Sequence, residues 1–178
     1  MKPIIFLFGP SGVGKSYLSK MLKKNRFLHV HIDTDSGKRT FAANGFPSEW
    51  DDDFHKVNLA HLVGALRDRI DSEDAGAVMS FPTVYVITPD KLVEAAQIGV
   101  TPLVLWGKQE DCIWAAKKRI AKKGREFNLS RYERLNGPTF RAYGCPEYDS
   151  FRVEAFQGDG SRYPNEKWLT LIMERTSG

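Results

Sequence analysis

Cysteine is scarce in this 178-residue chain: only Cys112 and Cys145 are present. That excludes a disulfide framework and a cysteine-based zinc knuckle. Cys112 falls in a helical pattern and reads as core, and Cys145 precedes Pro146 in a loop. The four histidines, His29, His31, His55 and His61, show no metal-ligand spacing. Long hydrophobic runs are missing too: stretches such as Ile4–Phe8 and Val84–Ile87 fall far short of the roughly 20 residues of a membrane span. The run after Met1-Lys2-Pro3 is cut by Gly9-Pro10-Ser11-Gly12 before it reaches the length of a signal-peptide core. The expectation is a soluble, cytoplasmic protein with no membrane association. There are no repeats and no low-complexity segments.

Hydrophobic residues make up 42% and charged residues 27%, as in ordinary globular domains. The length suits one domain over residues 1–178, with a core large enough to stand without staples. Apolar runs alternate with helical periodicity. Pro3–Phe8, Phe27–Ile32, Ala77–Phe81, Thr101–Trp106 and Phe151–Ala155 read as strands. Lys15–Lys24, Asp51–Ile70, the segment Thr88 to Gly99, Lys108–Lys123 and Pro164–Glu174 read as helices. Thr88 caps its helix, Pro89 suits the first turn, and Gly99 and Gly124 end helices. Alternation of this kind predicts an α/β three-layer fold of about five parallel strands with helices on both faces.

Between the first strand and the first helix stands Gly9-Pro10-Ser11-Gly12-Val13-Gly14-Lys15-Ser16, which fits G-x-x-x-x-G-K-[ST]. Glycines let the backbone wrap with its N–H groups pointing inward as a nest for anionic oxygens. The helix that follows adds its positive N-terminal end. Lys15 can reach the outer phosphates, and Ser16 can offer a hydroxyl to Mg²⁺. Gly9, Ser11, Gly12, Val13, Gly14, Lys15, Ser16 and Tyr17 are therefore the candidate nucleotide-binding residues.

Asp33 and Asp35 end the second strand, where an α/β sheet places its ligands. One carboxylate suits a hydrated Mg²⁺ and the other suits a base that accepts a hydroxyl proton. Lys38 and Arg39 follow on the same predicted helix turn and suit an anionic acceptor. Trp50-Asp51-Asp52-Asp53 reads as a helix start, with acids at the positive end of the dipole. The stretch Lys117–Arg141 holds nine Lys/Arg against Glu126 and Glu133, so it carries +7 while the rest of the +4 chain sums to −3. Such a field attracts phosphates of a nucleotide or a nucleic acid. Residues 117–148 are the candidate lid or insertion, short and basic. Tyr143 and Tyr148 within it either stack on bases or pack.

The P-loop followed by Asp33-Thr34-Asp35 resembles the small P-loop kinases of the gluconate kinase and shikimate kinase type. Gly45-Phe46-Pro47 with the acids that follow, and Leu103–Gly124 leading into a basic lid, extend the resemblance in order over most of the chain. It implies ATP and Mg²⁺ as cofactors, Lys15 on the phosphates, Ser16 and Asp33 at the metal, and Asp35 at the acceptor hydroxyl. It also implies Arg119 stacking near the adenine, with Arg125 as a lid residue over the transferring phosphate and the loop Gln157–Tyr163 bordering the base. An arginine suits the lid task because its planar fork binds phosphate oxygens bidentately, and Arg131 and Arg134 are alternatives to Arg125. Ser80-Phe81-Pro82-Thr83 replaces the glycine pair of shikimate kinases, and Arg125-Glu126-Phe127-Asn128 replaces the His-Phe-Met-Pro of gluconate kinases, so neither acceptor is assigned.

The expected activity is ATP-dependent, Mg²⁺-assisted phosphorylation of a hydroxyl on a small metabolite such as a sugar acid, by a monomer or homodimer. One alternative acceptor is a nucleotide or a polynucleotide 5′-hydroxyl end. The other alternative is an ATP-binding switch with no acceptor.

Overall fold

The computed structural model describes residues 1–32, 40–51 and 56–176. The five strands are β1 (Ile4–Phe8), β2 (Phe27–His31), β3 (Gly76–Ser80), β4 (Val100–Trp106) and β5 (Arg152–Glu154). They form one parallel sheet in the order β2-β3-β1-β4-β5. β1 is central and every residue of it is buried, as its unbroken apolar run requires. Ile4, Phe6 and Phe8 face one core, and Ile5 and Leu7 face the other.

Helices cover both faces. α1 (Lys15–Lys24) and α7 (Asn165–Thr176) close one core through Leu18, Leu22, Trp168 and Ile172, joined by Cys112 of α5 (Gln109–Ala121). The opposite core takes Leu62 and Leu66 from α3 (Leu59–Arg67) and Leu92 from α4 (Pro89–Gln97). It also takes Phe41 from the short α2 (Thr40–Ala43) and Tyr143 from α6 (Leu129–Tyr143). Phe8 and Phe81 stack within it, with ring centroids 4.5 Å apart.

The long helix expected over Asp51–Ile70 is not one element. Ser48–Trp50 is a single 3-10 turn, and α3 starts only at Leu59. Two side chains explain this. Asn58 Oδ1 accepts the His61 N–H at 2.9 Å, an N-cap that starts the helix there. Asp51 turns back, its carboxylate accepting the N–H groups of Phe41 and Ala42 at 2.8 and 3.0 Å. It caps α2 rather than opening the next helix, while Trp50 packs on Phe41 and Phe46. Asp52, Asp53 and Phe54 lie outside the described residues. The other expected strands and helices shift at their ends by one or two residues, as fraying ends do, while the stretch expected as a basic lid contains α6, a helix of 15 residues. Thr88 caps α4, accepting the Lys91 N–H at 3.4 Å, with Pro89 in its first turn.

Candidate active site at the P-loop

Residues 9–14 leave the carboxyl end of the central strand and enter α1 at Lys15. Gly9, Gly12 and Gly14 have φ of +133°, +90° and +115°, values that side-chain-bearing residues rarely adopt. Space is short as well. A Cβ at Gly9 would run into the Leu105 carbonyl, one at Gly12 into the Cys112 carbonyl, and one at Gly14 into Arg162 and Trp168. The wrap of the loop is thus set by its glycines and by three neighbouring elements.

Lys15 Nζ donates to the carbonyls of Gly9 (2.6 Å) and Pro10 (3.1 Å) and approaches Thr83 Oγ1 at 3.5 Å. Ser16 is half-buried and lines the same cleft. Tyr17 lies one residue further, its hydroxyl bonded to Asn165 and its ring against Trp168. Arg119, from the last turn of α5, donates to Ser11 Oγ at 3.2 Å. The loop and α5 together border a cleft of about 1640 Å³. Its walls carry Lys15, Lys118, Arg119, Arg125, Arg131 and Arg162, opposed by fewer acids, among them Glu110, Asp111 and Asp159. Arg125 and Arg131 are exposed at this cleft, and Arg134, also exposed, falls outside its lining. Asp33, Asp35, Lys38 and Arg39 lie outside the described residues; Ile32, the last described residue before them, lines the cleft.

Two grips on the loop were not legible from its motif. The first comes from α6. Asn136, 3% exposed, accepts the Ser11 N–H on its Oδ1 at 2.6 Å, and its Nδ2 donates to the Tyr132 carbonyl at 2.8 Å. Tyr132 donates its hydroxyl to the Ser11 carbonyl at 2.6 Å, and burial raises its pKa, so it stays a donor. Tyr132, Asn136, Thr139 and Tyr143 follow one another at spacings of four, three and four. That helical stripe of polar-tipped residues was the available signal. The second grip is Arg162, whose guanidinium donates to the carbonyls of Val13 (2.8 Å) and Gly12 (2.7 Å). It lies in the loop already expected to border the base.

Tyr143 and Tyr148 are packing residues. Both are buried, and their hydroxyls donate to the carbonyls of Tyr85 and Ile87 at 3.2 and 2.8 Å. Thr139 Oγ1 donates to the Thr83 carbonyl at 2.9 Å, so the second half of α6 is anchored to the segment after β3. Burial pushes the Cys112 thiol up to about 12, against the opposing pull of Arg162 and Lys15. It is a protonated core residue, not a nucleophile. Among the described residues no group of three or more His, Cys, Asp and Glu could hold a metal ion, and no helix is long and apolar enough to cross a membrane.

A central strand, a glycine-rich loop at its carboxyl end and a helix that starts on the motif lysine place the chain in the P-loop class of α/β folds. Comparison with solved structures narrows the class. The chain matches a sugar kinase from Janibacter sp. HTCC2649 (TM-score 0.58, 14% identity, 99% of this chain and 95% of that one). It matches a gluconokinase from Sinorhizobium meliloti 1021 (TM-score 0.56, 17% identity, 99% and 92%). It also matches shikimate kinase from Aquifex aeolicus (TM-score 0.54, 14% identity, 98% and 96%). The chain therefore has the fold of the small P-loop kinases, end to end. No protein-family model matches it, and no curated protein matches it by sequence.

Proposed function

We propose that this chain is an ATP-dependent kinase that transfers the γ-phosphoryl group to a hydroxyl of a small molecule. The observation that carries the reading is the cradle at the end of β1, with Lys15 and arginines of α5, the following loop and α6 lining one cleft with it. Such a site concentrates positive charge where a triphosphate reacts and leaves open space beside it. The kinases that share the fold support the reading.

The roles follow from chemistry. The loop amides hold the β-phosphate, and Lys15 turns from the Gly9 and Pro10 carbonyls to the β- and γ-oxygens. Ser16, in the first turn of the helix, suits Mg²⁺ with its hydroxyl, and Asp33, two positions past β2 in the sequence, would add a carboxylate. The ion, when bound, neutralises charge on the β- and γ-oxygens. Asp35 accepts the acceptor's hydroxyl proton as the new P–O bond forms and the bond from the γ-phosphorus to the bridging oxygen breaks. Arg125 or Arg131 neutralises charge on the transferred group. Lys38 and Arg39 would face an anionic acceptor, and Arg119 would lie against the base. The moving part of the lid is proposed to be residues 122–131, ahead of the half of α6 that is tied to Ser11 and Thr83.

The test is ADP release with Mg²⁺ across sugar acids, shikimate, nucleosides, nucleoside monophosphates and 5′-hydroxyl oligonucleotides. Stimulation by one acceptor, lost in Asp35→Asn, is the expected result. Wild-type stimulated turnover in Asp35→Asn sinks the base assignment, and ATP binding without stimulation by any acceptor favours the switch reading. One feature favours a polynucleotide acceptor as the second reading: Trp114, 60% exposed in the cleft, has Lys118 Nζ 4.6 Å from its ring centroid. An aromatic face among lysines and arginines is what stacks bases and tracks phosphates. Steep weakening of oligonucleotide binding with salt would favour that acceptor.

A further inference from the structure

Arg162 is half-buried, and its contacts lead to the carbonyl side of the P-loop backbone. Nη1 donates to the Val13 carbonyl and Nη2 to the Gly12 carbonyl. No carboxylate pairs with it among the described residues; its other neighbours are the rings of Phe156 (4.8 Å) and Tyr17 (5.9 Å). A guanidinium held off water without a carboxylate is costly unless another charge compensates it. Burial accordingly lowers its pKa, and Arg119 adds to the shift.

The direction of the two carbonyls matters more than the bonds themselves. No described peptide is cis, and in a trans peptide the C=O and the following N–H point in opposite directions. With the Gly12 and Val13 carbonyls turned to Arg162, the N–H groups of Val13 and Gly14 point away from it. Gly14 completes the fit, because any side chain there would collide with the guanidinium. A charge on the oxygen side of a peptide also polarises the unit and strengthens its N–H as a donor.

We propose that Arg162 is a positioning residue of the phosphate cradle: it holds the Gly12 and Val13 carbonyls outward, so that the Val13 and Gly14 amides face the bound phosphates. The anion in the cradle then supplies the countercharge that the protein withholds. This rests on the nucleotide-binding reading above. It adds a residue about 150 positions along the chain from the motif, in a loop whose expected task was to border the base.

The experiment measures the affinity of wild type, Arg162→Met, Arg162→Lys and Gln157→Ala for ATP and for tripolyphosphate, a probe with phosphates and no base. Unfolding midpoints are recorded alongside. Gln157 Nε2 braces the same loop through Ser161 Oγ (2.9 Å) and the Arg162 carbonyl (3.2 Å). Its loss loosens the loop without removing the guanidinium. Arg162→Met should weaken both ligands about tenfold or more, with Arg162→Lys intermediate because it keeps charge but loses the fork. Gln157→Ala should stay within twofold for tripolyphosphate. Folded Arg162→Met that binds both ligands within twofold of wild type overturns the proposal, even if its midpoint falls. So does Gln157→Ala matching the loss in Arg162→Met, since loop order alone would then suffice. A wild type that binds neither ligand overturns the nucleotide reading and this proposal together.

Discussion

Asn136→Ala tests whether α6 holds the P-loop. The side chain is 3% exposed and makes two hydrogen bonds, from the Ser11 N–H at 2.6 Å and to the Tyr132 carbonyl at 2.8 Å. Alanine leaves the Ser11 amide without its acceptor in a partly dry setting, which costs about 1–3 kcal/mol. The second bond adds about 0.5–1.5 kcal/mol, and the better helix propensity of alanine returns roughly 0.5 kcal/mol. The net expectation is about 1–4 kcal/mol of stability, or a midpoint lower by about 2–16 °C in a domain of this size. Urea denaturation with an unchanged m-value is the assay. Tyr132→Phe removes the other bond to the same residue, so the double variant should depart from additivity by about 0.5 kcal/mol or more. An Asn136→Ala chain within about 0.5 kcal/mol of wild type, with an additive double variant, would refute the reasoning.

Lys15→Ala should lower turnover at least about a hundredfold at saturating acceptor, about 2.7 kcal/mol of transition-state stabilisation; a loss confined to KM would mean that the amine only binds. Gly12→Ala should abolish the ATP-induced rise in unfolding temperature, because a Cβ at φ +90° meets the Cys112 carbonyl; a wild-type rise would contradict the fit. His29 gives a pH prediction. Burial first, then His31, Lys23 and Lys20, pushes its imidazole down to about 4, and its Nε2 is buried without a hydrogen bond. The unfolded chain therefore takes up that proton more readily, so this contribution is intact above about pH 6.5 and is lost as pH falls towards 4. It amounts to at most about 3 kcal/mol. His29→Leu should flatten the fall in stability between pH 7 and 4.5, and an equally steep fall would show that other groups carry it.

Local chemistry made much of the fold readable in advance. The unbroken apolar run of β1 can only be buried on both faces, and the glycine pattern after it leaves few backbone paths. Thr88-Pro89 and Gly99 mark α4 because a side-chain acceptor, a fixed φ and a positive φ each act within a few residues. Asp51–Ile70 misled for the same reason. Its apolar stripe suits a helix, but Asp51 finds better donors at Phe41 and Ala42, and that choice depends on a neighbour ten residues back in the chain.

The sequence by itself determined the strand–loop–helix of the P-loop motif, the alternation that demands a parallel sheet, and the basic charge gathered after residue 117. Only the tertiary structure decided which side chains hold that loop in shape. Asn136 and Tyr132 reach Ser11 across more than 120 residues, and Arg162 reaches Gly12 across 150. The stripe on α6 marks a helix face but not its partner, and Arg162 carries no local mark at all, because what these side chains satisfy is the leftover hydrogen-bonding capacity of a loop in no regular structure. Those partners exist only once the sheet has brought α6 and the last loop to the end of β1. Backbone propensity acts along the chain and can be read there, whereas the pairing of orphan polar groups acts through space.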